Sequence, residues 1–168
     1  PVSAVAAPWV RIGGRVRSSA SLQARAAQAA QGFEQAGVAP GDVVAVVLRN
    51  DFPMIEATVG AGMAGAYVVP VNWHNTADEA RHVLRDSGAK VLVVHADLLV
   101  PLQAIIPPGV LLLVAETPAE LCSAYRVGAA EARVPAGLPC WEQWLDALQP
   151  KPLPHALSPG SMIYTSGT

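Results

Sequence analysis

The last four residues of the chain carry side chains suited to holding an anion. Thr165, Ser166, Gly167 and Thr168 follow a short apolar stretch, residues 161–164, that predicts a strand. Hydroxyl groups and a glycine directly after a strand can present several short donors to one phosphate. The sequence differs from a Walker-type loop, because no Gly-Lys-Ser/Thr follows a glycine at the required spacing. Taken alone, such a tetrapeptide is more often an ordinary turn, so the preceding elements must decide between the two interpretations.

Other side chains that could do chemistry have simpler structural explanations. Trp73 and His74 follow a predicted strand, where the carboxyl edge of a parallel sheet often binds ligands. A turn in which both side chains pack and meet solvent is nevertheless the favoured interpretation. Arg49 also follows a strand, and we predict a surface arginine near a helix start. Asp78 and Glu79 resemble a catalytic carboxylate pair, but the first turn of a helix explains them better.

Cysteine and histidine positions give no disulfide or metal pattern. Cys122 and Cys140 are too few for a disulfide framework, and we predict two reduced, unreactive thiols. His82, His95 and His155 have no partners at the spacing of metal ligands. We therefore assign no metal ligand and no catalytic residue within this chain.

The elements that must position the terminal loop alternate between strand and helix. Apolar runs predict strands at residues 43–48, 67–71, 91–94 and 110–114, each of the first two buried on both faces. Amphipathic stretches predict helices at 19–36, 52–64, 77–87 and near 98–105. This alternation predicts an α/β fold with a mostly parallel sheet flanked by helices. The order of the strands does not follow from the sequence.

Two finer predictions concern the ends and faces of these helices. Ser19 is expected to cap the first helix. The second helix is expected to bury a stripe formed by Phe52, Ile55, Val59 and Met63.

A short hairpin is predicted before the first helix, at residues 8–18, where two apolar stretches flank a Gly-Gly dipeptide. Arg11, Arg15 and Arg17 alternate along it, and we predict that they form a solvated strand face. The net charge of the chain is −2, with its basic residues scattered. We therefore expect no nucleic-acid partner.

The rest of the chain is less regular. We interpret residues 1–168 as one partial domain, with βα repeats over 19–115 and an irregular, partly helical excursion over 117–150. A short helix is expected at 141–148, and a proline-rich connector leads to the strand and loop at 160–168.

The terminal residues resemble a known loop once this context is considered. Residues 163–168, Ile-Tyr-Thr-Ser-Gly-Thr, resemble the first half of the phosphate loop of AMP-forming acyl-CoA synthetases and other adenylate-forming ligases. Segments 37–46, 65–72 and 86–92 resemble further elements of that superfamily, in the same order. The similarity spans residues 9–94 and the terminal loop.

The resemblance implies a two-step reaction. A carboxylate attacks the α-phosphate of ATP to give an acyl-adenylate, and a thiol, usually coenzyme A, then displaces AMP. Magnesium is the implied metal ion, and Thr165, Ser166, Gly167 and Thr168 are the implied ligands of the β- and γ-phosphates. The family's metal-binding glutamate, ribose-binding aspartate and adenylation lysine would lie beyond Thr168. We therefore expect an N-terminal fragment that is inactive by itself.

Several alternatives remain at this stage. The carboxylate substrate could be a fatty or related acyl acid, an aryl or bile acid, or an amino acid. A non-catalytic α/β module that binds a nucleotide or a partner is the alternative from another functional class. Hydrophobic residues make up 52% and charged residues 14% of the chain, which is compatible with a homo-oligomer or a covering neighbour. We expect no transmembrane segment and no signal peptide, and a cytoplasmic location by default.

Overall fold

An antiparallel hairpin precedes the main sheet in the structure, a computed structural model that describes residues 8–150, 152 and 158–165. Strand β1 (Trp9–Ile12) pairs with strand β2 (Arg15–Ser18). Gly13 takes a φ of +57° in the turn, a conformation that costs glycine little. The hairpin expected from the sequence is therefore present.

The prediction that all three hairpin arginines form a solvated face is wrong. Arg11 is exposed, but Arg15 pairs with Asp51 and Arg17 pairs with the buried Glu56. The alternation along a strand sends Arg15 and Arg17 to the same side, and that side faces the body of the protein.

Four parallel strands form the central sheet in the order β4-β3-β5-β6. They are β3 (Val43–Val47), β4 (Tyr67–Pro70), β5 (Val91–His95) and β6 (Leu111–Ala115). Every residue of β3 and β5 is buried, as expected for central strands of a parallel sheet. The β4 strand was predicted to be buried on both faces, but it lies at an edge, with Tyr67 half-buried and Pro70 exposed.

Helices cover both faces of this sheet, which confirms the predicted fold class. The helices are α1 (Ser19–Gln35), α2 (Phe52–Met63), α3 (Ala77–Asp86), α4 (Ala119–Tyr125) and α5 (Trp141–Asp146). Helices α1, α2 and α5 share one apolar core with the sheet, and α3 packs into a second core on the opposite face. Two short 3₁₀ turns, Ala96–Leu98 and Gln103–Ile105, replace the predicted helix near 98–105. In the described part of the chain, no helix is both long and apolar enough to cross a membrane.

Helix α2 buries only part of the predicted stripe, because Phe52 is buried and Met63 packs against the core, while the other two residues depart from it. Val59 is 44% exposed, and Ile55 is only half-buried, whereas Glu56, Ala57 and Gly60 are buried. The reason is the close approach of α1 to α2, which selects small side chains. A Cβ atom on Gly60 would lie 2.6 Å from the Cβ of Ala29.

Local capping interactions set the helix starts. The cap of α1 is Ser18 and not Ser19, and its Oγ accepts a hydrogen bond from the Ser21 N–H at 3.1 Å. At α3 a capping box is formed, because Thr76 and Glu79 exchange reciprocal hydrogen bonds.

Single bridges extend the sheet at both edges. Ser161 pairs with Val68 of β4, and Cys140 pairs with Val114 of β6, both in parallel. The strand predicted at residues 161–164 is thus reduced to one bridge residue. This bridge brings the end of the described chain alongside β4.

Candidate functional site

A groove of about 730 Å³ lies beside the carboxyl end of β4. Its volume is within the range of small-molecule binding sites, about 300–1,000 Å³. The turn after β4, the first turns of α3 and the end of the described chain form its walls. The lining residues are Pro70, Val71, Asn72, Asn75, Asp78, Glu79, His82, Val83, Tyr164 and Thr165.

The turn after β4 gives one wall of the groove its shape. The Asn72 side-chain oxygen accepts a hydrogen bond from the His74 N–H at 3.0 Å, and the Asn75 N–H donates to the Asn72 carbonyl at 2.9 Å. Asparagine favours this kind of turn because its side chain can replace a backbone acceptor. The reversal places Asn72 and Asn75 beside the start of α3.

The last described residues form the opposite wall. The Met162 N–H donates to the Val68 carbonyl at 2.8 Å, and the Val68 N–H donates to the Gly160 carbonyl at 3.2 Å. Two residues further on, the Tyr164 hydroxyl donates to Asp86 at 2.6 Å. The ring of His82 meets the Tyr164 ring edge-on, with 6.2 Å between the centroids.

Of the four residues predicted to bind phosphate, one belongs to the described chain. Thr165 is exposed and lines the groove. Ser166, Gly167 and Thr168 lie outside the described residues. The role of all four in binding phosphate stays a prediction.

The charge of the groove is acidic. Asp78 and Glu79 line it, and none of the described lining residues is Lys or Arg. Bound phosphates would therefore need compensating cations from elsewhere. Within residues 8–150, 152 and 158–165, no group of three or more His, Cys, Asp or Glu side chains is placed to hold a metal ion. We therefore derive no chemical step through a magnesium ion.

Two ionisable groups of the groove have shifted pKa values. The Asp86 carboxylate, by accepting the hydrogen bond, raises the pKa of Tyr164 to about 12. Hydrogen bonds from the Thr76 N–H and hydroxyl hold the pKa of Glu79 below its ordinary value. Near neutral pH, Tyr164 is therefore a hydrogen-bond donor and Glu79 is ionised.

A second polar cluster lies between the carboxyl ends of β3 and β5. The chain passes from one side of β3 to the other at this point, where open α/β sheets commonly bind ligands. Arg49 donates to Asp97 through Nε at 3.1 Å and Nη2 at 2.6 Å, and the Thr117 hydroxyl donates to the same carboxylate at 2.6 Å. The predicted surface location of Arg49 is wrong, because this residue is only 6% exposed.

Aromatic rings enclose the Arg49 guanidinium. Its Cζ atom lies 4.5 Å from the Trp73 ring centroid and 3.8 Å from that of Tyr125. Trp73 in turn contacts His74 with the two rings tilted by 34°, and 3.5 Å separates the ring centroids. The packing interpretation of the Trp73-His74 pair therefore agrees with the structure.

The other polar groups of this cluster are only partly paired, because Arg49 Nη1 and His95 Nε2 are buried without a hydrogen-bond partner among the described residues. His95 accepts a hydrogen bond from the Arg49 N–H through Nδ1 at 3.0 Å, and its Nε2 lies 3.6 Å from an oxygen of Asp51. Asp51 also pairs with Arg15 at 2.6 Å, and Arg15 pairs with Glu120 of α4 at 3.2 Å. Side chains of the chain thus contact one another between the ends of β3 and β5, and the open groove lies beside β4.

Sequence reasoning missed Tyr164, Asp86, Asn72 and Asn75 as parts of the groove. The asparagines follow a strand directly, and their position at the carboxyl edge of a parallel sheet could have identified them. The pairing of Tyr164 with Asp86 joins residues 78 positions apart, and no local pattern predicts it.

Comparison with known proteins places these features in a family context. The family model described as "AMP-binding enzyme" matches residues 4–168. A feruloyl-CoA synthase of Amycolatopsis sp is 41% identical over 98 residues, which are 56% of this chain and 20% of that protein. The fatty acid–[acyl-carrier-protein] ligase ScoC of Streptomyces coeruleorubidus is 28% identical over 166 residues, covering 96% of this chain and 28% of ScoC.

A solved structure shows a similar fold. The anthranilate CoA ligase AuaEII superposes with a TM-score of 0.74 at 21% identity, covering 92% of this chain and 28% of the ligase chain. The chain thus spans between 20% and 28% of the length of these two curated relatives.

Proposed function

Because this chain belongs to the family of AMP-binding enzymes, we propose that it is part of an ATP-dependent ligase that activates a carboxylate as an acyl-adenylate. The acyl group then passes to coenzyme A, with AMP as the leaving group. The match of the family model to residues 4–168 carries this proposal. ATP, Mg²⁺ and coenzyme A are proposed for the whole protein, because the chain spans only a fraction of its relatives.

The proposed role of the groove is to hold the polyphosphate end of ATP. Thr165 is exposed there, so its hydroxyl is free to donate to a phosphate oxygen. Ser166, Gly167 and Thr168 would continue the same loop. The acidic side chains of Asp78 and Glu79 disfavour a bare phosphate, so cations from outside the described residues complete the proposed site.

The proposed substrate is a fatty or related acyl acid, and an aromatic acid is the alternative. The similarity to ScoC over 96% of the chain supports the first, and the 41% identity to a feruloyl-CoA synthase supports the second.

ATP–pyrophosphate exchange in the full-length protein tests the proposal. We expect exchange that depends on an added carboxylate, and the rates with fatty, aromatic and amino acids identify the substrate class. Residues 1–168 alone are expected to give none. Absence of exchange with all three classes would contradict the proposed ligase and favour a non-catalytic module, for which calorimetry with ATP is the direct test.

Replacing Thr165 tests the phosphate role within the same assay. Thr165→Val keeps the shape of the side chain but removes its hydroxyl, so the KM for ATP should rise about two- to tenfold. Thr58→Val is the matched control, because Thr58 lies in α2 and does not line the groove. An unchanged KM in Thr165→Val would remove Thr165 from the proposed site.

A further inference from the structure

A side-chain hydrogen bond holds the chain immediately before Thr165. The Tyr164 hydroxyl donates to Asp86 at 2.6 Å. Asp86 is the last residue of α3, a helix fixed by its capping box and by the buried Val83 and Leu84. The hydrogen bond therefore connects the residue before the proposed phosphate ligand to a rigid element of the fold.

The other attachments of this segment lie further upstream. The backbone pairing with β4 involves Gly160 and Met162, and Ser158 packs closely against Gly62 of α2. Ile163 is 65% exposed, and Thr165 is exposed as well. Tyr164 is thus the last described residue that the body of the protein holds by a side-chain hydrogen bond.

The position of Asp86 is unfavourable for the helix itself. A carboxylate in the last turn of a helix meets the negative end of the helix dipole. Asp86 is exposed, so it contributes little to the apolar core. The hydrogen bond from Tyr164 is a favourable contact at this otherwise unfavourable position.

We propose that Asp86 is a positioning residue, which fixes through Tyr164 the direction in which the chain enters the phosphate loop at Thr165. This inference rests on the proposed function of the loop. Without the hydrogen bond, Tyr164 and Thr165 sample more orientations, and ATP binding must then fix the position of the Thr165 hydroxyl. Loss of the bond should therefore weaken ATP binding and leave the chemical step nearly unchanged.

Kinetics of the full-length protein test this positioning role. Tyr164→Phe and Asp86→Ala should each raise the KM for ATP about two- to tenfold, with kcat changed less than about twofold. Asp86→Asn keeps an oxygen acceptor for the Tyr164 hydroxyl and should restore a KM near that of the unmodified protein. Tyr125→Phe removes a phenol hydroxyl on α4 that does not line the groove, and is the matched control.

A spectroscopic titration of the 168-residue chain tests the hydrogen bond independently of activity. The chain has three tyrosines, and tyrosinate absorbance should show one of them ionising at about 12. This late transition should be absent in Tyr164→Phe and should move to lower pH in Asp86→Asn and Asp86→Ala, because the neutral or missing side chain no longer opposes ionisation.

Hydrogen exchange separates the outcomes. The amides of residues 162–165 should exchange faster in Tyr164→Phe and Asp86→Ala, while those of β5 stay unchanged. Faster amide exchange in the variants of a protein without ligase activity would support the Tyr164–Asp86 hydrogen bond and overturn the proposed function. An active protein in which neither variant alters the KM for ATP would overturn the positioning role. Unchanged amide exchange, together with no tyrosine that ionises at about 12, would show that the Tyr164–Asp86 hydrogen bond does not hold this segment.

Discussion

Arg49 and Asp97 form an ion pair that is almost fully removed from water. Their side chains are 7% and 4% exposed, and the guanidinium also contacts two aromatic rings. Burial of a charge is costly unless a partner compensates it, so each member depends on the other. Arg81 and Asp78 form the same type of pair at the surface of α3, with Asp78 86% exposed.

The contrast between these two pairs gives a prediction for stability. Asp97→Ala should lower the free energy of unfolding by about 3–5 kcal/mol, because it leaves the Arg49 charge buried without its partner. Asp78→Ala is the matched control and should cost at most about 1 kcal/mol, since water screens an exposed pair. Urea unfolding of both variants measures the difference. Equal losses would mean that burial does not determine the strength of these pairs.

Asp51 makes the attachment of the hairpin dependent on pH. Burial alone would raise the pKa of this carboxyl, but the neighbouring His95 and Arg15 side chains and the Phe52 N–H lower it below its ordinary value. A carboxyl whose pKa is lower in the folded state stabilises the fold above its unfolded pKa of about 4. That stabilisation is lost as the pH falls through the folded pKa.

Asp51→Asn tests this dependence. At neutral pH the variant should unfold at a lower urea concentration than the unmodified chain, because it lacks the charge that pairs with Arg15. The difference between the two should shrink as the pH falls below about 4, since the unmodified carboxyl then becomes neutral as well. A difference that is constant with pH would contradict an electrostatic role of Asp51.

At the scale of elements, helices α1 and α2 pack closely against each other at Gly60. A Cβ on Gly60 would lie 2.6 Å from the Ala29 Cβ and 2.8 Å from the Ala26 carbonyl oxygen. Backbone atoms cannot move away without separating the helices. Gly62, on the same helix, would instead meet the Ser158 hydroxyl at 2.6 Å, and that side chain can rotate.

These two glycines give a matched pair of substitutions. In an unhindered helix, Gly→Ala gains about 1 kcal/mol. At Gly60 the expected effect is a loss of about 1–3 kcal/mol from overpacking, and at Gly62 the cost should be smaller. Denaturant unfolding measures both. A Gly60→Ala variant as stable as the unmodified chain would show that α1 can shift away from α2.

Helix α2 also shows how far the sequence predicts the elements. Its existence and its end before Gly65 follow from local signals, and so do the buried strands β3 and β5. The prediction that Ile55 and Val59 lie on the buried face was wrong. The sequence pattern identifies the more hydrophobic face of the helix, whereas close packing against α1 requires small side chains. The burial and the contacts of single side chains depend on partners that are distant in sequence. For that reason Arg49 was predicted at the surface, and the contact of Tyr164 with Asp86 was not predicted.

At the scale of the whole molecule, Glu56 connects four elements at one buried point. It accepts hydrogen bonds from Arg17 of β2, from Arg25 of α1 at 2.9 Å and from the indole N–H of Trp141 in α5 at 2.9 Å. Glu56 itself belongs to α2 and is 1% exposed. The hairpin and helix α5 thus depend on the same carboxylate, which lies on α2 and also contacts α1.

Glu56→Ala should therefore weaken these elements together. We expect a loss of about 3–5 kcal/mol, because two arginines and an indole N–H lose their buried acceptor. Hydrogen exchange should rise in β2, α1 and α5 at once. Asp146→Ala removes only the exposed partner of Arg25, and its cost should stay below about 1 kcal/mol. Faster exchange confined to one element would show that Glu56 does not couple them.

The single bridges at the two sheet edges have a consequence for solubility. An uncovered edge strand offers unpaired N–H and C=O groups to other chains and so promotes aggregation. Ser161 partly covers β4, and Cys140 partly covers β6. The segment that leads into the proposed phosphate loop therefore also limits edge-to-edge association. In a protein shortened before Ser158, the edge of β4 would be exposed and could pair with β4 of another copy.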